Sequence, residues 1–331
     1  MKLGIIGSYG HLNIVLDSLP GLQDVQVVAA ARYAPEDPVR FVGRHSHVGA
    51  DVPVYDDYRQ LLDRHRPDLV SVCMPLFRNA EVSIAAARAG CHVFSEKPLA
   101  TTLEDLSALR RAVELSGVKI AAMFQMRASP PFQAVRSAVE QGRIGRSILA
   151  SAQKSYPFGL RDQWYRTRRT YGGTIPWQAI HALEYISYTT GQDYTRVCAM
   201  HSNLTQPEYP GFEDNGGILL GLSGGGHAVI TFDYLRPKAP GTQRRHGDDR
   251  LRIAGSEAIV EVVDEGARAI LLTPTTQEEL PLPPPRDLFA EFVASIREGT
   301  PCLVSPQESF RITEVALQAR QSADTGRLIE L

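Results

Sequence analysis

A glycine-containing turn near the amino terminus has residue types that suit the pyrophosphate of a dinucleotide. The segment Gly7-Ser8-Tyr9-Gly10-His11 follows an apolar run and precedes a helical pattern. Backbone N–H groups exposed at such a strand–turn–helix junction bind phosphate oxygens. The G-x-G-x-x-G pattern is degenerate here, because tyrosine and leucine stand at positions 9 and 12. We nevertheless predict a dinucleotide site at this turn, where Gly10 relieves the crowding caused by Tyr9.

The end of the second predicted strand indicates which dinucleotide the turn accepts. Proteins that bind NAD usually carry a carboxylate there, which receives the ribose hydroxyls. In this chain the strand is followed by Arg32 and Tyr33. Because a guanidinium pairs with a 2′-phosphate, the sequence predicts NADP as the preferred cofactor and NAD as the alternative. The other interpretation of Arg32 is a solvated arginine at a strand end.

A third chemical signal is Glu96-Lys97-Pro98, which follows a predicted strand at residues 92–94. Ligands of open α/β sheets bind at the carboxyl ends of the strands. A lysine at that edge can hold a substrate hydroxyl or exchange a proton with it, and Glu96 is its nearest hydrogen-bonding or charge partner. A Glu-Lys dipeptide is also a common surface pair. Only its position at the end of a strand indicates a chemical role here.

These three segments fit an alternation of strands and helices. The predicted strands are residues 2–6, 25–31, 68–73, 92–94 and 119–122, and the predicted helices are 11–18, 58–64, 80–89 and 103–116. This alternation is typical of a parallel sheet. Farther along, predicted helices at 131–141 and 176–190 bracket a strand and a polar loop, residues 197–272 indicate antiparallel strands, and helices at 288–298 and 306–325 close the chain. A mobile loop is predicted at residues 237–250.

Composition excludes several classes of protein. The chain has 331 residues, 43% of them hydrophobic, a formal net charge of -2 and a pI near 6.5. These values give no reason to expect nucleic acid or an anionic membrane as a partner. No apolar run approaches the roughly 20 residues of a membrane span, and no signal peptide is expected before the first strand. The scattered cysteines, Cys73, Cys91, Cys198 and Cys302, suit a reducing cytoplasm.

Taken together, several stretches resemble the Gfo/Idh/MocA oxidoreductase family over nearly the whole chain. The matching stretches are residues 5–7, 68–75, 89–99 with the Glu-Lys-Pro motif, 142–145, Gly172-Gly173 followed by His181, and 322–326. The resemblance implies α/β architecture, with a Rossmann domain at residues 1–122. An α+β domain at 123–331 follows, with an open-faced, largely antiparallel sheet that carries substrate contacts and subunit interfaces. An open sheet with an apolar face needs a covering partner, which predicts a homodimer or homotetramer.

The same resemblance implies that Lys97 contacts the reacting hydroxyl and that His181 is the histidine of the substrate domain. In the family this histidine usually closes an Asp-x-x-x-His pattern, in which residues four apart share a helix face. Position 177 is a tryptophan here. Trp177 would supply an apolar aromatic wall, which favours a less polar or ring-shaped substrate face. A core histidine on an amphipathic helix remains the alternative for His181.

Two further positions and one segment have open interpretations. Position 79 is often histidine in the family and is Asn79 here, whereas Glu184 matches an acidic position that serves packing or helix polarity. Residues 161–171 interleave arginines with aromatic residues. Such a stretch can bind single-stranded nucleic acid, but the slightly acidic chain argues against it. We favour a loop over the active site, whose arginines reach cofactor phosphate or an acidic substrate group; a solvated interface segment is the alternative.

The predicted function is hydride transfer between NAD(P) and a hydroxyl or keto carbon of a sugar, cyclitol or related ring. The alternatives are an enzyme that reduces and reoxidises a bound cofactor within one turnover, and a binding or regulatory protein without catalysis. The predicted catalytic residues are Lys97 and His181. The predicted cofactor contacts are Gly7, Ser8, Tyr9, Gly10, His11, Arg32, Tyr33, Pro75, Asn79, Glu96 and Lys97. The predicted substrate contacts are Lys97, Arg127, Trp164, Trp177 and His181, and no metal is expected.

Overall fold

The structure is a computed structural model that describes residues 1–237 and 247–331. The chain divides into two units. Unit 1 comprises Met1–Gln125 and Asp287–Thr313, and unit 2 comprises Met126–Arg286 and Glu314–Leu331.

The helices and strands follow one another in the order that the sequence indicates. The helices are α1 (Asn13–Leu16), α2 (Tyr58–His65), α3 (Asn79–Arg88), α4 (Leu103–Ser116), α5 (Pro130–Glu140), α6 (Arg168–Tyr171), α7 (Ile180–Thr190), α8 (Leu288–Glu298) and α9 (Pro306–Thr325). The strands are β1 (Lys2–Ile6), β2 (Gln26–Ala31), β3 (Val54–Tyr55), β4 (Leu69–Val72), β5 (His92–Ser95), β6 (Ile120–Ala122), β7 (Ser147–Ser155), β8 (Tyr194–Ser202), β9 (Asn215–Leu222), β10 (His227–Asp233), β11 (Asp248–Gly255), β12 (Ile259–Val263), β13 (Arg268–Leu272), β14 (Gln277–Glu279) and β15 (Ile329–Glu330).

Unit 1 contains a six-stranded sheet in the order β3-β2-β1-β4-β5-β6. Its strands pair in parallel, and β4 is buried along its whole length. Parallel strands covered on both faces are continuously apolar in this way, and this order is that of a dinucleotide-binding Rossmann sheet. The carboxyl ends of β1, β4 and β5 therefore lie at one edge of the sheet, followed by Gly7, Cys73 and Glu96.

Local signals explain where the helices of unit 1 begin and end. The Thr102 hydroxyl accepts a hydrogen bond from the Asp105 N–H, and Gly117 ends α4 in the left-handed conformation. These bounds match the predicted helix. By contrast, α1 is much shorter than the predicted helix at 11–18, because Leu12 at its start has no side chain that can cap it.

Helix α8 belongs to unit 1 although the sequence places it in the second domain. The rings of Phe289 and Phe292 lie 5.2 and 5.4 Å from the ring of Phe94 on β5. All three side chains are buried. The predicted division placed residues 287–313 in a second domain at 123–331, whereas they belong to unit 1. The order of elements along the sequence does not show that the chain returns to its first sheet.

Unit 2 contains a nine-stranded sheet in the order β14-β13-β12-β11-β7-β10-β9-β8-β15. Among the described strands of this sheet, only β7 and β10 pair in parallel, so the sheet is largely antiparallel, as predicted. Helix α7 covers one face, where the Tyr185 hydroxyl donates to the Gln153 carbonyl of β7 at 3.0 Å. Alternate side chains of the strands point to the opposite face of the sheet. On that face Leu219 and Met200 are 51% and 77% exposed.

The structure describes only part of the loop that the sequence predicts at residues 237–250. Residues 238–246 lie outside the described residues. Asp248, Asp249 and Arg250 are not loop residues, because they pair with β7 at the start of β11. The Gly and Arg content of this segment suggested a loop, but cross-strand pairing prevails over that local signal. Within the described part of the chain, no helix is long and apolar enough to cross a membrane.

The packing of α8 on unit 1 can be tested by truncating Phe292. We expect Phe292→Ala to lower the free energy of unfolding by about 3–5 kcal/mol, because it leaves a cavity beside Phe94. Leu115 is 89% exposed, and Leu115→Ala is expected to change stability by less than about 0.5 kcal/mol. Guanidinium unfolding followed by circular dichroism measures both. If the two variants unfold alike, α8 does not pack on β5.

Candidate active site

The turn after β1 passes against the end of β4, and only glycine fits at its first position. Gly7 has a φ of +78°, and a Cβ atom there would lie 2.2 Å from the Cys73 carbonyl oxygen. The Gly7 N–H donates to the Ala31 carbonyl at 2.8 Å, and the Tyr9 N–H donates to the Cys73 carbonyl at 2.9 Å. The predicted phosphate turn is thus fastened to both neighbouring strands.

Gly10 brings the same turn against the carboxylate of Glu96. Its φ is +73°, and a Cβ atom would lie 2.2 Å from Glu96 Oε2. The crowding that glycine avoids at position 10 therefore comes from the Glu96 carboxylate, which directly follows β5, and not from Tyr9. The Tyr9 side chain turns aside and meets the Tyr33 ring edge-on, at 6.3 Å between centroids.

Glu96 is fully buried and bonded to the turn on one side and to Lys97 on the other. Its oxygens accept hydrogen bonds from the His11 N–H at 2.6 Å and the Lys97 N–H at 2.9 Å. His11 Nδ1 lies 2.8 Å from Oε2. Burial alone would raise the pKa of Glu96, but attraction to His11 and Lys97 and the hydrogen bonds from His11 hold it below its ordinary value. The carboxylate is therefore ionised at neutral pH.

Lys97 lies at the carboxyl edge of the parallel sheet, where the sequence places it, and is 2% exposed. Asn79 fixes the backbone on both sides of it: the amide Nδ2 donates to the carbonyls of Glu96 at 3.3 Å and Pro98 at 3.2 Å. Its Oδ1 accepts the Met74 N–H at 3.3 Å. The predicted cofactor contact Asn79 is fully buried, and these bonds make it a support for Lys97. Pro75 is also buried, at the bend between β4 and α3.

The segment that follows β2 contains a buried carboxylate, Asp37, that the sequence analysis missed. Asp37 is fully buried, and its oxygens accept hydrogen bonds from the Ser8 hydroxyl at 2.5 Å, the Tyr33 N–H at 3.1 Å and the Val39 N–H at 3.0 Å. Aspartate commonly bonds backbone N–H groups in such a turn, so its place between two prolines, Pro35 and Pro38, was a usable signal. Arg32 donates to the Asp37 carbonyl and lies 3.3 Å from Asp56.

In unit 2, Trp177 and His181 occupy the start of the helix that the sequence predicts at 176–190. Trp177 lies in a π-helical turn, Ile175–Ala179, and His181 lies in the first turn of α7. The predicted shared face at spacing four assumed a regular α-helix, and the wider π turn changes that relationship. π turns within helices are frequent at functional sites. His181 is 2% exposed, and Trp177 is half-buried.

Arg127 is held within unit 2 by a buried ion pair. Its Nε lies 2.5 Å from Glu184 Oε1, and both side chains are almost completely buried. The guanidinium also lies 4.9 Å from the centre of the Tyr188 ring. Glu184, which the sequence suggested for packing or helix polarity, is thus the counter-ion of Arg127. A substrate contact by Arg127 remains a prediction.

Trp164 belongs to an aromatic cluster formed by the arginine-rich segment. Its ring stacks on Tyr165 at 4.1 Å, and Tyr165 in turn lies 4.6 Å from Tyr171. Arg161 lies 5.4 Å from the Tyr165 ring and 4.9 Å from the Tyr234 ring. Part of the segment is therefore an ordered aromatic core of unit 2, which the alternation of arginines and aromatics did not reveal.

A second missed feature of unit 2 is a fully buried lysine on β7. Lys154 Nζ lies 2.5 Å from Asp249 Oδ1 on the paired strand β11 and 5.0 Å from the centre of the Tyr156 ring. Burial alone would lower the pKa of Lys154, but attraction to Tyr156 and Asp249 raises it above its ordinary value. Strand alternation places residue 154 on the covered face, but its partner comes from a strand about a hundred residues away.

The comparisons with known proteins agree with this architecture. Residues 1–124 match the oxidoreductase family with an NAD-binding Rossmann fold, and residues 132–261 match the GFO/IDH/MocA C-terminal domain. A solved oxidoreductase from Thermotoga maritima is 33% identical, with a TM-score of 0.93, and the similarity covers 100% of both chains.

Two curated proteins show the same relationship in sequence. The oxidoreductase YrbE of Bacillus subtilis is 32% identical over 181 residues, which are 54% of this chain and 52% of that protein. Inositol 2-dehydrogenase of Rhizobium meliloti is 23% identical over 100% of this chain and 99% of its own. The chain therefore belongs to the Gfo/Idh/MocA family of oxidoreductases, whose first domain is an NAD-binding Rossmann fold.

Proposed function

We propose that this oxidoreductase transfers hydride between a nicotinamide dinucleotide and a hydroxyl or keto carbon of a sugar, cyclitol or related ring. The observation that carries the proposal is Lys97: a buried lysine at the carboxyl edge of the parallel sheet, in the Glu-Lys-Pro motif of the family. Its backbone is fixed by Glu96 and Asn79. A family relative, inositol 2-dehydrogenase, acts on a cyclitol by its name.

The residues around the turn fit a dinucleotide. Gly7 and Gly10 let the turn pack directly on the Cys73 carbonyl and the Glu96 carboxylate, and neither the Ser8 N–H nor the Gly10 N–H donates to an acceptor among the described residues. Two unused N–H groups in one turn, on either side of Tyr9, suit phosphate oxygens. Lys97 holds the hydroxyl oxygen of the substrate, and His181 takes part in removing its proton.

A bound nicotinamide would supply the hydride acceptor for the carbon that carries the hydroxyl, so that oxidation of the alcohol would be balanced by one hydride and one proton. Trp177 supplies an aromatic surface against which the apolar face of a ring can stack. A ring that offers such a face is therefore a better substrate class than a small, highly charged acid.

The catalytic roles can be tested with Lys97→Met and His181→Asn. Each is expected to lower kcat/KM by about 10²–10⁴-fold on a substrate found in a panel of sugars and cyclitols, because each removes a proton-handling group. Stopped-flow absorbance of the nicotinamide follows the reaction, and exposed Lys2, as Lys2→Met, is the control.

Two outcomes would contradict the proposal. Product that forms without net absorbance change, on an enzyme that copurifies with its cofactor, indicates a reaction that reduces and reoxidises the cofactor in one turnover. Binding of ligands without turnover of any panel member indicates a protein that does not catalyse hydride transfer.

We further propose that NADP is preferred, with Arg32 as the 2′-phosphate contact. The carboxylate at the end of β2, Asp37, is fully buried and bonded to Ser8 and Tyr33, so it is not presented to a ribose. Arg32 is partly exposed, and its guanidinium pairs with Asp56, which would compete with a 2′-phosphate for it. A phosphate that carries up to two charges would displace a solvent-exposed carboxylate.

Calorimetry with NADPH and NADH tests this preference. Arg32→Ala is expected to weaken NADPH binding by about 10–100-fold and to leave NADH nearly unchanged, because NADH lacks the 2′-phosphate that Arg32 would contact. Asp56→Asn is expected to strengthen NADPH binding by removing the competing charge. Arg59→Ala, which removes an exposed arginine paired with Glu81, is the control. An unchanged NADPH/NADH ratio in both variants would remove Arg32 from the phosphate site.

We also propose that copies of the chain associate through the outward face of the nine-stranded sheet as a dimer or tetramer. Val229 of β10 and Leu219 of β9 are directly paired and exposed, and exposed Leu149 of β7 lies diagonally beside Val229, opposite His227; we call these three residues the apolar row. Contiguous apolar surface of this kind marks interaction sites.

Light scattering after size-exclusion chromatography tests the association. Val229→Asp is expected to shift the protein towards monomer, since it introduces a charge into the centre of the apolar row. Leu115→Asp on α4, which is 89% exposed, is the control. A wild-type protein that is monomeric at micromolar concentration would refute the proposed assembly.

A further inference from the structure

Charged side chains surround the turn that leads into the helix of Trp177 and His181. We call them the helix-start cluster: Arg168, His201, Glu213, Arg320 and Asp324. They come from α6, β8, the segment before β9, and α9. The turn itself is Gly172-Gly173-Thr174, and Thr174 directly precedes the π-helical turn that contains Trp177.

Glu213 holds Thr174 through both its side chain and its backbone. The Thr174 N–H donates to Glu213 Oε2 at 2.7 Å, and the Thr174 hydroxyl donates to the Glu213 carbonyl at 2.6 Å. Thr174 is fully buried, and Glu213 is 3% exposed. Two bonds to one residue fix both the place and the direction of the chain where the helix begins.

Arg168 and Asp324 hold Glu213 in turn. Arg168 Nη2 contacts Glu213 Oε1 and lies 3.1 Å from Asp324 Oδ1. The carboxylate of Asp324 also lies 3.1 Å from His201 Nε2. His201 Nδ1, on the other side of the ring, is 4.0 Å from Glu213 Oε1. The Arg168 guanidinium thus lies between two carboxylates, so the buried carboxylate of Glu213 faces a charge of opposite sign.

The glycines let the turn lie directly on these side chains. Gly173 has a φ of +104°, and a Cβ atom there would lie 2.3 Å from Arg168 Nη1 and 3.0 Å from Arg320 Cδ. Arg320 also donates to the Gly172 carbonyl. Any larger residue at position 173 would move the turn away from the helix-start cluster.

We propose that Glu213 is a positioning residue, which sets the orientation of Trp177 and His181 by fixing Thr174 at the start of their helix. The catalytic part of this inference rests on the proposed function, whereas the structural part does not. Glu213 touches no reacting atom. It acts by limiting the motion of a helix start that contains an irregular π turn.

The experiment uses Trp177 as its own reporter. The chain has two tryptophans, so Trp164→Phe leaves Trp177 as the single indole. In that background Glu213→Gln is expected to raise the acrylamide quenching constant of Trp177 about twofold and to shift its emission, because the helix start moves more freely. Glu278→Gln, which breaks the exposed ion pair with Arg143, is the matched control and is expected to change neither quantity.

Enzyme kinetics supply the second readout. In the protein with both tryptophans, Glu213→Gln is expected to lower kcat by about 10–100-fold while the affinity for the dinucleotide stays within about twofold, because substrate groups are misplaced but unit 1 is unchanged. If Glu213→Gln does not fold, as judged by circular dichroism, Arg168→Gln replaces it. That variant keeps both bonds between Glu213 and Thr174 and removes the Arg168 ion pairs with Glu213 and Asp324.

The outcomes separate the two proposals. Unchanged Trp177 quenching in folded Glu213→Gln or Arg168→Gln overturns the positioning role, whatever the enzyme does. Increased Trp177 quenching in the variant upholds the positioning role. If the wild-type protein also turns over no member of the substrate panel, the proposed function is refuted while the positioning role stands. Equal changes in Glu278→Gln would also overturn the inference, because the effect would then be a general loss of stability.

Discussion

The carboxylate of Glu96 is the interaction on which the candidate site of unit 1 depends. A buried ionised carboxylate is stable only if nearby donors and cations compensate for lost hydration. Here the compensation comes from the His11 and Lys97 N–H groups and the His11 ring. The phosphate turn and the proposed catalytic lysine are thereby bonded to one group. A displacement of either segment would leave the Glu96 charge poorly compensated, so cofactor turn and lysine are fixed together.

The same requirement organises unit 2, where each buried cation has a carboxylate of its own. Glu184 pairs with Arg127, and Asp249 pairs with Lys154. Paired charges of this kind specify one arrangement of the surrounding elements. If either partner moved away, the other charge would remain buried without compensation. The pairs join α7 to the segment before α5, and β7 to β11. Glu184, one turn after His181 on α7, is therefore already neutralised by Arg127.

Much of the fold could be predicted because its signals are local. Apolar runs, the Thr102 cap and Gly117 define β1 and α4 within a few neighbouring residues. The turn, Lys97 and His181 could be named because a motif or a family pattern marks them. Lys154 and Glu213 could not be assigned in this way, since their partners are distant in sequence, whereas Asp37 between its two prolines had a local signal that was missed. The packing of α8 on β5 was missed for the same reason: 195 positions separate Phe94 from Phe289.

Tryptophan at position 177 changes the electrostatics expected of the reaction under the proposed function. Negative charge develops on the substrate oxygen as its proton leaves, and a nearby carboxylate would oppose that charge unless it shared the proton. With Trp177 there is no such carboxylate four residues before His181, and Glu184 is committed to Arg127. Stabilisation of the oxygen then falls to Lys97, whose backbone is fixed on both sides. The exchange of a carboxylate for an aromatic ring thus shifts the demands of catalysis towards the lysine and favours substrates that bind by stacking.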